Sequence, residues 1–213
     1  MCICFDFDGT IANSYHLFVS KVQHVAREIG YKPISKEQAE QLRSKHARDI
    51  VRQFKIPYYR MPWLVLRLRA EMREDMKHVA PVEGMPEVIA QLQKQQYVLG
   101  IVSSNCEKIV RDFFDRHGMR AFDFLACNSN IFGKVLTLRW VLRKRQLQPE
   151  QTVYIGDELR DAEAARKIGV RFGAVSWGYN TLESLKYHAP DYEFETPGDI
   201  IAAFAQNDSS PDE

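Results

Sequence analysis

Short apolar segments alternate with amphipathic ones through most of the chain, and that alternation limits its fold more than any other feature. Residues 2–7, 97–102, 124–126, 152–155 and 172–175 read as strands. Between them, apolar residues recur at helical spacing. Ile109, Val110, Phe113 and Phe114 share one face, and Gly118 follows as a stop. An unbroken apolar run such as 97–102 belongs in a strand covered on both faces. Strands alternating with helices of about 10–15 residues predict an α/β fold, a parallel sheet between two helix layers.

One connection is too long for that scheme. Residues 14–80 show only helical periodicity, far beyond an ordinary crossover. Asn13-Ser14 is a capping signal ahead of Leu17, Phe18, Val22, Val25 and Ile29, and Gly30 ends that face. Ser35 with Gln38 resembles a capping box. Trp63, Leu66 and Leu68 open a helix to about Met76, and Tyr58, Tyr59 and Trp63 are expected in the core or hinge of this region. Residues 14–80 therefore read as an inserted helical cap domain on a core of residues 1–13 and 81–205. Residues 206–213 read as a disordered tail. Residues 31–80 carry twelve lysines and arginines against six acids, a local +6 in a chain of net +1. A solvated surface accounts for most of this, and some of the arginines are candidates to face an anionic substrate.

The near-zero total charge provides no global pull toward nucleic acid or an anionic membrane. No run approaches the ~18 apolar residues of a membrane helix. The opening segment lacks the basic leader of a cleaved signal and meets Asp6 and Asp8 at once. Cys2, Cys4, Cys106 and Cys127 read as reduced thiols of a cytoplasmic protein, with Cys2 and Cys4 as buried strand residues rather than metal ligands. No Walker A or GxGxxG pattern is present.

In open α/β sheets, ligands bind at the carboxyl ends of the strands. The first strand ends in Asp6-Phe7-Asp8-Gly9-Thr10, and side chains two apart on an extended segment point the same way. The strand at 152–155 ends in Gly156-Asp157, with Asp161 one helical turn on. Four carboxylates in one cleft repel: at ~4 Å and an effective dielectric of ~20, each close pair costs about 4 kcal/mol. Such a cluster needs a cation or extra protons, and hard oxygen ligands without His or Cys favour Mg²⁺. Val102 leads into Ser103-Ser104-Asn105 at an expected helix start, where donors suit a phosphate, although Ser and Asn there are also routine caps. Lys134 opens another helix, where a cation opposes the helix dipole; that raises the case for a functional role, although on this signal alone a structural lysine remains the stronger reading.

Together these motifs resemble the haloacid dehalogenase-like hydrolase superfamily, in its phosphoglycolate phosphatase-like branch. Asp6–Thr10 looks like the DxDGT motif, 101–105 the second motif, Lys134 the third and 156–161 the GDxxxD motif, all in order over residues 2 to about 200. The resemblance implies a Rossmann-like core and a phosphatase of small phosphorylated metabolites such as phosphoglycolate or sugar phosphates. Asp6 would be the nucleophile that forms an aspartyl-phosphate, and Asp8 the general acid and base. Mg²⁺ would be held by Asp6, the Asp8 backbone carbonyl and Asp157, with Asp161 acting through water. Ser103, Ser104, Asn105 and Lys134 would bind phosphate. Related caps often carry a substrate-side Leu-Arg, which points to Arg43, with Arg48 as a second candidate. The alternatives are a sugar-phosphate phosphomutase or a non-catalytic phospholigand-binding protein. Nucleic-acid and membrane partners are not expected, and the chain is read as a monomer or homodimer.

Overall fold

The computed structural model describes residues 1–127 and 133–205; the expected tail at 206–213 lies outside the described residues. Six strands form one parallel sheet: β1 (Cys2–Phe5), β2 (Val98–Val102), β3 (Phe124–Ala126), β4 (Thr152–Gly156), β5 (Arg171–Val175) and β6 (Tyr192–Phe194). Their order is β3-β2-β1-β4-β5-β6. This is the doubly wound order, in which the chain switches sides of the sheet between β1 and β4 and leaves a crevice beyond their carboxyl ends. Phe5 pairs with both Ile101 and Ile155, so the three central strands end level. Asp6, Ser103 and Asp157 follow close on those ends.

Alternation along β1 separates the two faces. Ile3 and Phe5 enter one core with Phe7, Ile89, Phe113 and Phe204, whereas Cys2 and Cys4 enter the other with Leu138, Leu159 and Ala165. The cysteines thus fill a core position, as the sequence suggested, and all four thiols are free. The first core is covered by α5 (Met85–Lys94), α6 (Glu107–Arg116) and α10 (Pro197–Phe204), the second by α7 (Lys134–Arg145) and α8 (Leu159–Ile168). Helix α9 (Leu182–Lys186) contributes Leu185 to the second core.

Between β1 and α5 the described chain is helical: α1 (Tyr15–Glu28), α2 (Lys36–Leu42), α3 (Ala47–Gln53) and α4 (Met61–Asp75), with single 3₁₀ turns at Tyr58–Arg60 and Met76–His78. The capping box at Ser35 and Gln38 forms as expected. The two ends of this insertion meet. Asn13 N–H donates to the Ala80 carbonyl at 3.0 Å, and Val82 N–H donates to the Ile11 carbonyl at 2.8 Å. Among the described residues, no helix is long and apolar enough to cross a membrane.

Three local expectations are corrected. β1 stops at Phe5 rather than Phe7, because the Phe7 carbonyl accepts from Ile11 and Ala12 in a turn that lifts Asp8 out of the sheet. Helix α6 starts at Glu107 rather than Asn105, since the Asn105 side chain is drawn to Asp8 and the Cys106 N–H. Tyr58, Tyr59 and Trp63 are exposed, on a 3₁₀ turn and the first turn of α4, while Leu64 faces inward instead.

Candidate active site

The turn after β1 brings its two acids to different surroundings. Asp6 is buried, with Oδ1 accepting from the Phe7 N–H at 2.8 Å and Oδ2 from Lys134 Nζ at 2.6 Å. Asp8 sits at the rim. Its Oδ2 accepts from the Asn105 amide at 2.9 Å and its Oδ1 from the Ser14 hydroxyl at 3.1 Å. Gly9 makes the turn possible: its φ is +78°, and a Cβ there would lie 2.2 Å from Asp157 Oδ2.

Asp157, next after β4, is held by the Thr10 hydroxyl on Oδ1 at 2.8 Å and by the Tyr179 N–H on Oδ2 at 2.7 Å. Asp161 lies in the first turn of α8. It accepts from the Glu158 N–H and from Lys134, and the Tyr154 hydroxyl lies 3.3 Å from its Oδ1. Oxygen atoms of Asp6, Asp157 and Asp161 lie within 4.8 Å of one another. All three residues are buried. The sequence anticipated each of these acids, and the sheet brings them together.

Burial pushes the Asp6 carboxyl up to about 7; Lys134 pulls it down, while Asp161 and Glu158 push it up. Burial also raises Asp157 well above the carboxylate range, aided by Asp6, Glu158 and Asp161. Asp8 is raised by desolvation against its bonds to Asn105 and Ser14. Lys134 pays a desolvation penalty too, yet Asp161 and Asp6 hold its ammonium protonated above the usual lysine range. Glu158 is half-buried; desolvation pushes its carboxyl up, but its pairing with Arg160 outweighs this and holds it below its ordinary value. Three carboxylates thus share a single ammonium, and their raised proton affinities mark a compact set of hard oxygen donors that, once ionised, carries more negative charge than Lys134 balances. That donor set fits a small divalent cation such as Mg²⁺.

The other expected residues take varied positions. Ser103 is buried, and its Oγ accepts from the Asn105 N–H at 3.0 Å. The Ser104 carbonyl accepts from Arg69 of α4 at 2.8 Å, joining core to insertion. Arg43 reaches the core from the insertion and donates to the carbonyls of Gly178 at 2.8 Å and Ser176 at 3.4 Å. It also stacks over the Tyr15 ring. Arg48 is exposed in the first turn of α3. A mostly apolar cavity of about 320 Å³ lies among α1 to α4, lined from the core by Glu158, Tyr179 and Asn180 and from the insertion by residues including Arg43.

The sequence reading missed the loop after β5. Asn180 N–H donates to the Asp157 carbonyl at 3.1 Å, and its side chain donates to the Arg43 carbonyl at 2.6 Å and accepts from Leu159 N–H at 3.0 Å. A Cβ on Gly178 would lie 2.0 Å from Asp157 Cβ, so the loop packs directly on that acid. The available signal was position: Gly178-Tyr179-Asn180 follows a strand adjacent to β4, at the same end of the sheet.

The model of the haloacid dehalogenase-like hydrolase family matches residues 3–175. The phosphoglycolate phosphatase of Synechococcus elongatus is 34% identical over 205 residues, covering 96% of this chain and 97% of that protein. The N-acetylmuramic acid 6-phosphate phosphatase of Pseudomonas aeruginosa is 27% identical, covering 93% and 92%. A haloacid dehalogenase-like family hydrolase from Streptococcus pneumoniae superposes with a TM-score of 0.79 at 21% identity over 95% of this chain and 97% of that one, a likeness of fold. With a family match across most of its length, a relative sharing a third of its residues end to end, and the expected acids gathered at the switch point, the chain belongs to the haloacid dehalogenase-like hydrolases, in their phosphoglycolate phosphatase-like branch.

Proposed function

We propose that this enzyme is a Mg²⁺-dependent phosphatase that hydrolyses small phosphorylated metabolites through an aspartyl-phosphate on Asp6. One observation carries the reading: Asp6 and Asp8 leave the same strand, yet Asp6 bonds to Lys134 beside Asp157 and Asp161, while Asp8 sits at the rim among neutral donors. A buried carboxylate beside a cation site suits attack on phosphorus, and a rim carboxyl with raised proton affinity suits acid catalysis.

Asp6 attacks the phosphoryl group in line, and the bond to the leaving oxygen breaks as Asp8 gives it a proton. Asp8 then takes a proton from the water that attacks the acyl phosphate, which restores both carboxyls. Lys134, Ser103 and Ser104 hold the phosphoryl oxygens, and Asn105 holds Asp8. Asp6, the Asp8 carbonyl and Asp157, with Asp161 beside them, would hold Mg²⁺, which when bound supplies charge neutralisation for phosphoryl transfer. Residues 14–80 serve as the cap that excludes water, with Arg43, and Arg48 further out, on the substrate side. Four free cysteines suit a reducing cytoplasm.

The direct test is phosphate release from a panel of phosphorylated metabolites, headed by 2-phosphoglycolate and N-acetylmuramic acid 6-phosphate, with Mg²⁺ and after chelation. Release from at least one member that chelation abolishes is expected; undiminished release in chelator contradicts the reading.

Asp8→Asn should lower kcat/KM for an alkyl phosphate by about 10²–10⁴, the usual worth of a positioned acid. An activated aryl phosphate, whose leaving group needs little protonation, should lose far less. Equal losses would remove Asp8 from the donor role.

Stability should depend on pH in a defined direction. Asp6 has an ordinary value of 3.8 and about 7 in the metal-free fold, so the folded state holds its proton more tightly in between. Its stabilising contribution is full below pH of about 4 and is lost as pH rises toward 7. Asp8 and Asp157 act in the same sense. Thermal melts in chelator should show Tm falling across that window, with Mg²⁺ restoring it at neutral pH. A Tm indifferent to Mg²⁺ would contradict a metal site.

A further inference from the structure

We propose that Tyr179 is a positioning residue for Asp8, acting through Ser14 and linking the orientation of the acid to helix α1. The proposal rests on Asp8 being the proton donor, as set out above.

Ser14 holds one side of Asp8. It occupies the N-cap position of α1 and is fully buried, yet its side chain makes no capping bond to that helix. Its hydroxyl donates instead to Asp8 Oδ1 at 3.1 Å and lies 3.0 Å from the Tyr179 hydroxyl. A serine has one hydroxyl proton. Once that proton is given to Asp8, Ser14 can only accept from Tyr179, so the bonds run from Tyr179 O–H to Ser14 and from Ser14 O–H to Asp8. The other Asp8 oxygen accepts from Asn105 of the core at 2.9 Å. Asp8 is therefore held from both sides, and Tyr179 is the outer link on one of them.

Tyr179 is suited to this by how it is fixed. Its N–H donates to Asp157 Oδ2 at 2.7 Å, and the preceding Gly178 packs against the same carboxylate. Its ring stacks on Phe18 at 5.0 Å and 20°, with Tyr15 at 5.8 Å. Both aromatic neighbours belong to the beginning of α1, the first helix of the insertion. One residue thus touches a core acid through its backbone, the insertion through its ring and Asp8 through its hydroxyl.

The test compares kcat/KM for an alkyl and an activated aryl phosphate in Tyr179→Phe, Ser14→Ala, the double variant and Asp8→Asn. Tyr179→Phe keeps the ring and its stack and removes the hydroxyl alone. It should lower the alkyl-to-aryl ratio about fivefold, as expected for one lost hydrogen bond. Ser14→Ala should lower the ratio at least as far, and the double variant no further than Ser14→Ala, because both act on one chain of bonds. Equal loss on the two substrates in Tyr179→Phe, or independent effects in the double variant, would overturn the proposal. If Asp8→Asn lowers the ratio and Tyr179→Phe does not, this proposal alone fails. If Asp8→Asn leaves the ratio unchanged, the donor role fails and this proposal with it.

Discussion

Mutual repulsion among buried carboxylates is the constraint around which this molecule is arranged. Asp6, Asp157 and Asp161 converge at the end of two adjacent strands, out of contact with water. Each would prefer to be protonated or far from the others. Lys134 answers part of the problem by bonding both Asp6 and Asp161, and Thr10 O–H with Tyr179 N–H steadies Asp157. Three carboxylates against one ammonium are more than an ion pair needs, and the donor set fits a divalent cation. A buried salt bridge would contribute little stability by itself. Without a cation, burial and mutual repulsion raise the proton affinity of Asp6 and Asp157 instead.

The fold supplies the geometry that the charges require. Central strands that end level put Asp6 and Asp157 side by side, and glycine at 9, 156 and 178 leaves room for carboxylates where a Cβ would collide. The insertion leaves and rejoins the core at hydrogen-bonded neighbours, Asn13 and Ala80. The chain therefore enters and leaves these helices at one narrow point beside the turn that carries Asp8. Arg43 and Arg69 then reach from the insertion to carbonyls at the strand ends. The carboxylate cluster, the Asp8 turn and the helices of the insertion are thus mechanically adjacent.

Much of this was legible in the sequence, for a physical reason. Strand runs and helix periodicity are local, and the chemistry sits at strand ends, so Asp6, Asp8, Asp157 and Asp161 declared themselves by position. Lys134 stood out only weakly, as a cation against the helix dipole, and was singled out through the order of the motifs. What stayed hidden depended on partners distant in the chain. Ser14 has the appearance of a helix cap in sequence, but its hydroxyl is drawn to Asp8 and Tyr179. Asn105 resembles a helix start, but Asp8, 97 positions away, claims its amide. Tyr179 gave no signal beyond its place after a strand next to β4, since neither its ring contacts nor its bond to Asp157 follows from its neighbours. Local rules place elements and the ends of elements; they do not reveal which loop side chain will meet which.

The account stands or falls on the covalent step. The most direct measurement is rapid quench of the enzyme with Mg²⁺ and a turned-over phosphate ester, followed by peptide mapping of the phosphoryl adduct. A transient adduct on the peptide containing Asp6, lost in Asp6→Asn and, with an activated aryl phosphate, accumulating when Asp8 is replaced, is the predicted result. An adduct on another residue, or multiple turnovers with no adduct under conditions where Asp8→Asn still releases alcohol, would contradict it.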